Sequence, residues 1–155
     1  MRFLDYPIRV TYVGRLDKDS EGLLLMTNNG DIINRMMRAG NFHEKEYKVT
    51  VNKEVTLDFV KKMAAGIRIT DEEKGLDAVT RPCEVEKIGK YTFRIVLTQG
   101  LNRQIRRMCE ALGYRVTKLK RIRVMNIELG DLKPGEYRKL TDHELGELYE
   151  MIKNN

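Results

Sequence analysis

The chain has 155 residues, 41% of them hydrophobic, which suits one domain built around one core. Its 29 Lys and Arg against 23 Asp and Glu give a formal charge of +6, a balance that favours a polyanionic partner. No run approaches the roughly 18 to 20 apolar residues of a membrane-spanning helix, and the N-terminus has no apolar core for a secretory signal. Two cysteines, Cys83 and Cys109, allow at most one bridge, so a reducing, cytoplasmic setting is expected. Neither the cysteines nor His43 and His143 show the short spacing of a zinc site, and no Gly-rich loop cradles a nucleotide's phosphates. No metal and no nucleotide cofactor are expected.

Residues 8–13 read as a strand and, after the break at Gly14-Arg15-Leu16-Asp17, residues 22–27 read as a second, buried one. Asn28-Asn29-Gly30 is a turn, followed from Asp31 by a short helix with Ile32, Ile33, Met36 and Met37 on one face and a stop at Gly40. Tyr47, Val49 and Val51 alternate with Lys48 and Thr50, as in a half-buried strand. Thr56 is placed to cap a helix that carries Leu57, Val60, Met63 and Ala64 and ends near Gly66. Residues 82–87 and 91–98 form a hairpin around Gly89. A helix capped by Asn102 then shows the stripe Ile105, Met108, Cys109 and Leu112, closed by Gly113. Residues 116–129 hold two strands, residues 130–135 a turn, and Thr141 caps a last helix bearing Leu145, Leu148 and Ile152. The mixture predicts an α+β domain with a largely antiparallel sheet flanked by helices.

The charge is unevenly placed. Between Gln99 and Asn126 stand eight cations, Arg103, Arg106, Arg107, Arg115, Lys118, Lys120, Arg121 and Arg123, and one anion, Glu110, so this segment accounts for the whole net charge. Arg103, Arg106 and Arg107 fall in the first turns of their helix, where the macrodipole disfavours cations by about 0.3 to 1 kcal/mol each. Cations held against that field point to a phosphate or a buried carboxylate as partner.

The run Val13-Gly14-Arg15-Leu16-Asp17-Lys18-Asp19-Ser20-Glu21-Gly22-Leu23-Leu24-Leu25-Met26-Thr27-Asn28-Asn29-Gly30 resembles the catalytic motif of the pseudouridine synthases, in the branch that modifies bacterial ribosomal RNA. Glu44-Lys45-Glu46-Tyr47 and Gly100-Leu101-Asn102-Arg103-Gln104-Ile105-Arg106-Arg107-Met108 follow in that family's order, and residues 119–129 look like the same branch. The wording around residues 39–47 and 101–104 is closest to the RluF type, which acts on large-subunit ribosomal RNA.

The resemblance implies the pseudouridine synthase fold and an isomerase that breaks a uridine's glycosidic bond, turns the base and rejoins it through carbon, without cofactor. It makes Asp17 the nucleophile, adding either to C6 of uracil or to C1′ of the ribose. Tyr47 matches the tyrosine that lies against the target base and is a candidate for proton transfer. Arg106 matches the arginine that pairs with the catalytic aspartate and favours its ionised form. Arg15 matches a residue that fills the space of the flipped uridine, and Leu119 is a candidate apolar floor for the base. Arg103, Gln104, Arg107, Lys118, Lys120 and Arg121 are expected to contact RNA. Taken singly, Asp17 is a turn residue, Tyr47 a core tyrosine and Arg106 a phosphate contact. A two-carboxylate hydrolase using Asp17 and Asp19 has no third acid to support it.

Only thirteen residues precede Gly14, whereas relatives in this branch carry a small RNA-binding domain and a strand with a Lys-Pro-x-Gly motif, neither of which is in this sequence. The expectation is a single catalytic domain over residues 1–155, monomeric, acting on 23S ribosomal RNA. The alternative is a weakly active or inactive RNA-binding fragment of the same fold.

Overall fold

The computed structural model describes residues 11–13, 16, 18–37, 43–101 and 103–152. In chain order its elements are β1 (Thr11–Val13), β2 (Glu21–Gly22), β3 (Leu25–Thr27), α1 (Gly30–Met37), β4 (Lys45–Val51), α2 (Leu57–Ala65), β5 (Arg68–Asp71), β6 (Leu76–Val79), β7 (Glu84–Gly89), β8 (Thr92–Leu97), α3 (Gln104–Ala111), β9 (Val116–Val124), β10 (Ile127–Glu128) and α4 (Asp142–Ile152). The central sheet runs β10-β9-β4-β8-β7 with every neighbour antiparallel, and β2 joins β9 in parallel. The α+β architecture expected from the sequence is therefore present.

The buried face of the sheet is written in the alternation of β4 and β8. Val49 and Val51 face the same side as Phe93, Ile95 and Leu97, and α2 and α3 cover them with Phe59, Met63, Ile105 and Met108. Thr56 caps α2 by accepting from the Phe59 amide at 3.1 Å, as expected. A second, smaller cluster packs Ile32 of α1 and Leu148 and Ile152 of α4 against Leu23, Val124 and Ile127. Thr141 and Glu144 begin α4 with reciprocal bonds, the Glu144 amide donating to Thr141 Oγ1 at 3.1 Å and the Thr141 amide to Glu144 Oε1 at 2.9 Å.

Three expectations need correction. Residues 22–27 are two strands, because Gly22 takes φ +120° and lies so close to β9 that a Cβ there would collide with the Arg121 carbonyl oxygen. The chain leaves β9 after the Leu23 amide donates to Arg121 O at 2.8 Å, and β3 then pairs with β1. Leu57 is 70% exposed, and Phe59 fills its expected place in the core. The hairpin of β5 and β6 was not anticipated, since its strands are four residues each and its turn is a run of charges. Residues 8–10 of the first expected strand, Gly40 and the side chain of Met37 lie outside the described residues.

Candidate active site

The start of α3 is shaped by glutamines rather than by a capping Asn. Asn102 lies outside the described residues, and the residue that precedes the helix, Arg103, adopts a left-handed conformation at φ +48° with no side-chain capping bond. Gln104, 4% exposed, accepts from the Leu101 amide at 3.2 Å and donates to Gln99 Oε1 at 3.3 Å, while Gln99 Oε1 also accepts from the Arg81 amide at 2.8 Å. This buried clasp fixes the loop ahead of α3 and so fixes where Arg103, Arg106 and Arg107 emerge.

Those arginines reach different partners. Arg107 Nη2 is 2.8 Å from Asp71 Oδ2 on β5, an ion pair that is mostly shielded from solvent and holds the Asp71 carboxyl below its usual pKa. The expected carboxylate partner of the helix's cations is thus on this chain for Arg107. Arg106 Nη2 donates to the Asp19 carbonyl at 2.6 Å, and Arg103 Nη1 stands 3.8 Å from Asp19 Oδ2. The buried Nε of Arg106 meets no acceptor among the described residues.

From the other side β9 holds the far end of the same motif. The parallel pairing sets Glu21 opposite Lys120 and Gly22 opposite Arg121. Lys118 Nζ is 3.5 Å from Glu21 Oε1, and the Arg121 side chain, 3% exposed as a residue, donates from Nε to Leu23 O at 2.8 Å. Residues 19–23 are consequently gripped by α3 at one end and β9 at the other. Asp17 and Arg15 lie outside the described residues.

Tyr47 sits on β4 with Arg121 opposite it on β9 and Ile95 on β8, half-buried and packed on the main core cluster. Leu119 is buried two residues from Arg121 and opposite Val49, in the same cluster. The strands thereby set a tyrosine, an apolar surface and a guanidinium on one sheet face, with Lys45 beside them at the start of β4. Lys45 escaped the sequence reading, although an ammonium on the apolar side of an alternating central strand is a local rule broken.

Of the expected RNA contacts, Gln104 and Arg121 are buried and spend polar atoms on the chain itself, whereas Lys118 is exposed and Arg103 and Lys120 are half-buried. A charge count cannot separate cations that face outward from cations that brace a loop. The thiols offer no rival nucleophile, since burial pushes Cys83 up to about 11 and Cys109 up to about 12.

The family profile described as RNA pseudouridylate synthase matches residues 2–111. The chain is 52% identical over 153 residues to the dual-specificity RNA pseudouridine synthase RluF of Escherichia coli K12, covering 99% of this chain and 51% of that protein. It is 36% identical over 152 residues to an uncharacterized RNA pseudouridine synthase of Aquifex aeolicus, covering 97% of this chain and 61% of the relative. A solved pseudouridylate synthase superposes with a TM-score of 0.86 at 33% identity, over 95% of this chain and 64% of that one. The chain spans about half the length of the RluF proteins it matches. By profile, by sequence and by fold, the chain belongs to the RNA pseudouridylate synthase family.

Proposed function

We propose that this chain isomerises a uridine of ribosomal RNA, in the large subunit (23S), to pseudouridine in the cytoplasm, acting as a monomer with Asp17 as nucleophile and without metal or cofactor. The observation that carries this reading is the Arg106 side chain. It bridges to the backbone of Asp19, two residues from Asp17, and keeps a buried N–H with no acceptor among the described residues. A buried donor of that kind costs about 1 to 3 kcal/mol unless an acceptor is near. A carboxylate at Asp17 is the acceptor that the family motif supplies, and the guanidinium in turn keeps it ionised.

The ionised carboxylate attacks C1′ or C6, the N1–C1′ bond breaks, the base turns and C5 bonds to C1′; the carboxylate is expelled from the carbon it attacked, C5 loses its proton and N1 gains one. Tyr47 lies against the base, with Leu119 part of the apolar ground beneath it and the tyrosine hydroxyl as a route for the C5 proton. Arg15, Arg103, Lys118 and Lys120 take RNA phosphates, and Arg107, paired with Asp71, joins Gln104 and Arg121 in the scaffold.

Pseudouridine formation on large-subunit ribosomal RNA transcripts, with small-subunit ribosomal RNA and tRNA as comparators, tests the activity and its target. Asp17→Asn keeps the size and hydrogen bonding of the side chain but cannot act as the nucleophile. It is expected to abolish isomerisation while RNA affinity stays near the parent's, and turnover at the parent rate would overturn the mechanism.

A further inference from the structure

Lys45 is the one charge on the buried face of β4. Residues 45, 47, 49 and 51 share that face, and the other three are Tyr47, Val49 and Val51. In register with Lys45 stand Leu97 on β8 and Val124 on β9, both buried and apolar. Two acids adjoin it in sequence, but both are engaged elsewhere. Glu46 accepts from Arg123 Nε at 2.9 Å and lies 3.5 Å from Arg94, and Glu44 accepts from Arg123 Nη2 at 3.1 Å. The half-buried ammonium meets no carboxylate among the described residues, and its charged neighbour is a second cation, Arg121. Burial and that guanidinium together push the Lys45 pKa below the usual lysine range.

A half-buried cation with another cation as its charged neighbour is unfavourable, and an anion brought to this face offsets that cost. On this face the anion must fit beside Tyr47, one strand repeat of about 7 Å away. A backbone phosphate stays closer to solvent than the base it carries, and the exposed Lys118 suits it better. The reaction itself makes an anion at the right depth. Addition to C6 pushes electrons to the uracil O4, and attack at C1′ leaves the N1–C1′ electron pair on the ring, shared by N1, O2 and O4.

We propose that the Lys45 ammonium faces a carbonyl oxygen of the target uracil beside Tyr47 and stabilises the negative charge that either route places on the ring. The ammonium keeps its proton throughout and acts as a fixed charge, held ready before the reaction begins. This role rests on the isomerase reading and adds to it a residue that the aspartate, tyrosine and arginine assignments leave unused.

Single-turnover rates at saturating ribosomal RNA transcript, RNA dissociation constants and melting temperatures of the parent, Lys45→Met and Lys45→Arg chains test it. Lys45→Met keeps the length of the side chain and removes the charge. It is expected to slow the single-turnover step by on the order of 100-fold, to leave RNA affinity near the parent's, and to melt at or above the parent temperature. Lys45→Arg, which keeps the charge, recovers part of the rate. Equal rates for parent and Lys45→Met overturn this inference alone. Weaker RNA binding with a normal single-turnover rate makes Lys45 a phosphate contact and overturns it too. Lower melting temperatures with equal slowing in both variants make the role structural and likewise overturn it. A parent chain that forms no pseudouridine on any RNA overturns the isomerase reading, and this inference falls with it.

Discussion

The two faces of β4 treat charge in opposite ways. On one, Glu46 bridges Arg123 and Arg94, Arg123 also reaches Glu44, and Arg94 lies 3.3 Å from Glu84 and 3.7 Å from Glu86. Lys48, opposite Lys120 on that face, is exposed to solvent that screens it. On the other face the core carries Tyr47, Lys45 and Arg121, and the side chains opposite Lys45 are apolar. A network of paired ions holds strands together, whereas the Lys45 ammonium, set among apolar side chains, meets no carboxylate among the described residues. The same strand thus separates charges that stabilise from the one proposed to serve the uracil ring.

The largest perturbation comes from Gly22, on which the docking of the catalytic motif against β9 depends. Gly22→Ala forces a Cβ into the Arg121 carbonyl at a φ that L residues rarely adopt, and the motif cannot keep its place between β9 and α3. The expected cost is about 3 kcal/mol or more of folding stability, read by urea denaturation, together with loss of isomerisation. Parent-like stability would show that β2 and β9 can separate at little cost, and that the functional face does not need their close approach.

Glu46→Gln acts on the opposite face. It leaves Arg94 with Glu84 and Glu86, and Arg123 with Glu44, but removes the carboxylate that joins the two arginines. A loss of about 1 to 2 kcal/mol is expected, with the single-turnover rate close to the parent's. A large loss of rate without a loss of stability would mean that the paired face also takes part in the chemistry.

This division was only partly legible in the sequence. The alternation of residues 47–51 gave β4 and its buried face, and Thr56 and Gly66 marked both ends of α2, because these features depend on local chemistry. The break at Gly22 depends on a strand nearly 100 residues away, so a local apolar run could not reveal it. Gln104 and Arg121 resembled surface contacts for the same reason. Their residue types favour exposure, and only the packing of the Gln99 clasp and of β2 against β9 shows them turned inward. Lys45 was visible as a motif residue, but its isolation follows from where Glu44 and Glu46 find their arginines.

Acid titration gives the smallest and most selective test of the paired charges. Glu144 takes a bidentate bond from Arg138, at 2.7 and 2.8 Å, and a backbone bond from Thr141, and these hold its carboxyl at about 2 instead of the usual 4.5. Because the folded value lies below the unfolded one, the stabilisation is complete above about pH 4.5 and is lost as pH falls through about 2. Asp71, held low by Arg107, adds to the loss in the same direction. The melting temperature should therefore fall between pH 4.5 and 2, and Glu144→Gln should flatten part of that fall while lowering the melting temperature at neutral pH. Lys45→Met should leave the acid limb as steep as in the parent, since no carboxylate among the described residues pairs with Lys45. An acid limb that flattens in Lys45→Met would place a titrating carboxylate against that ammonium in the folded chain, and the contrast between the two faces of β4 would fail.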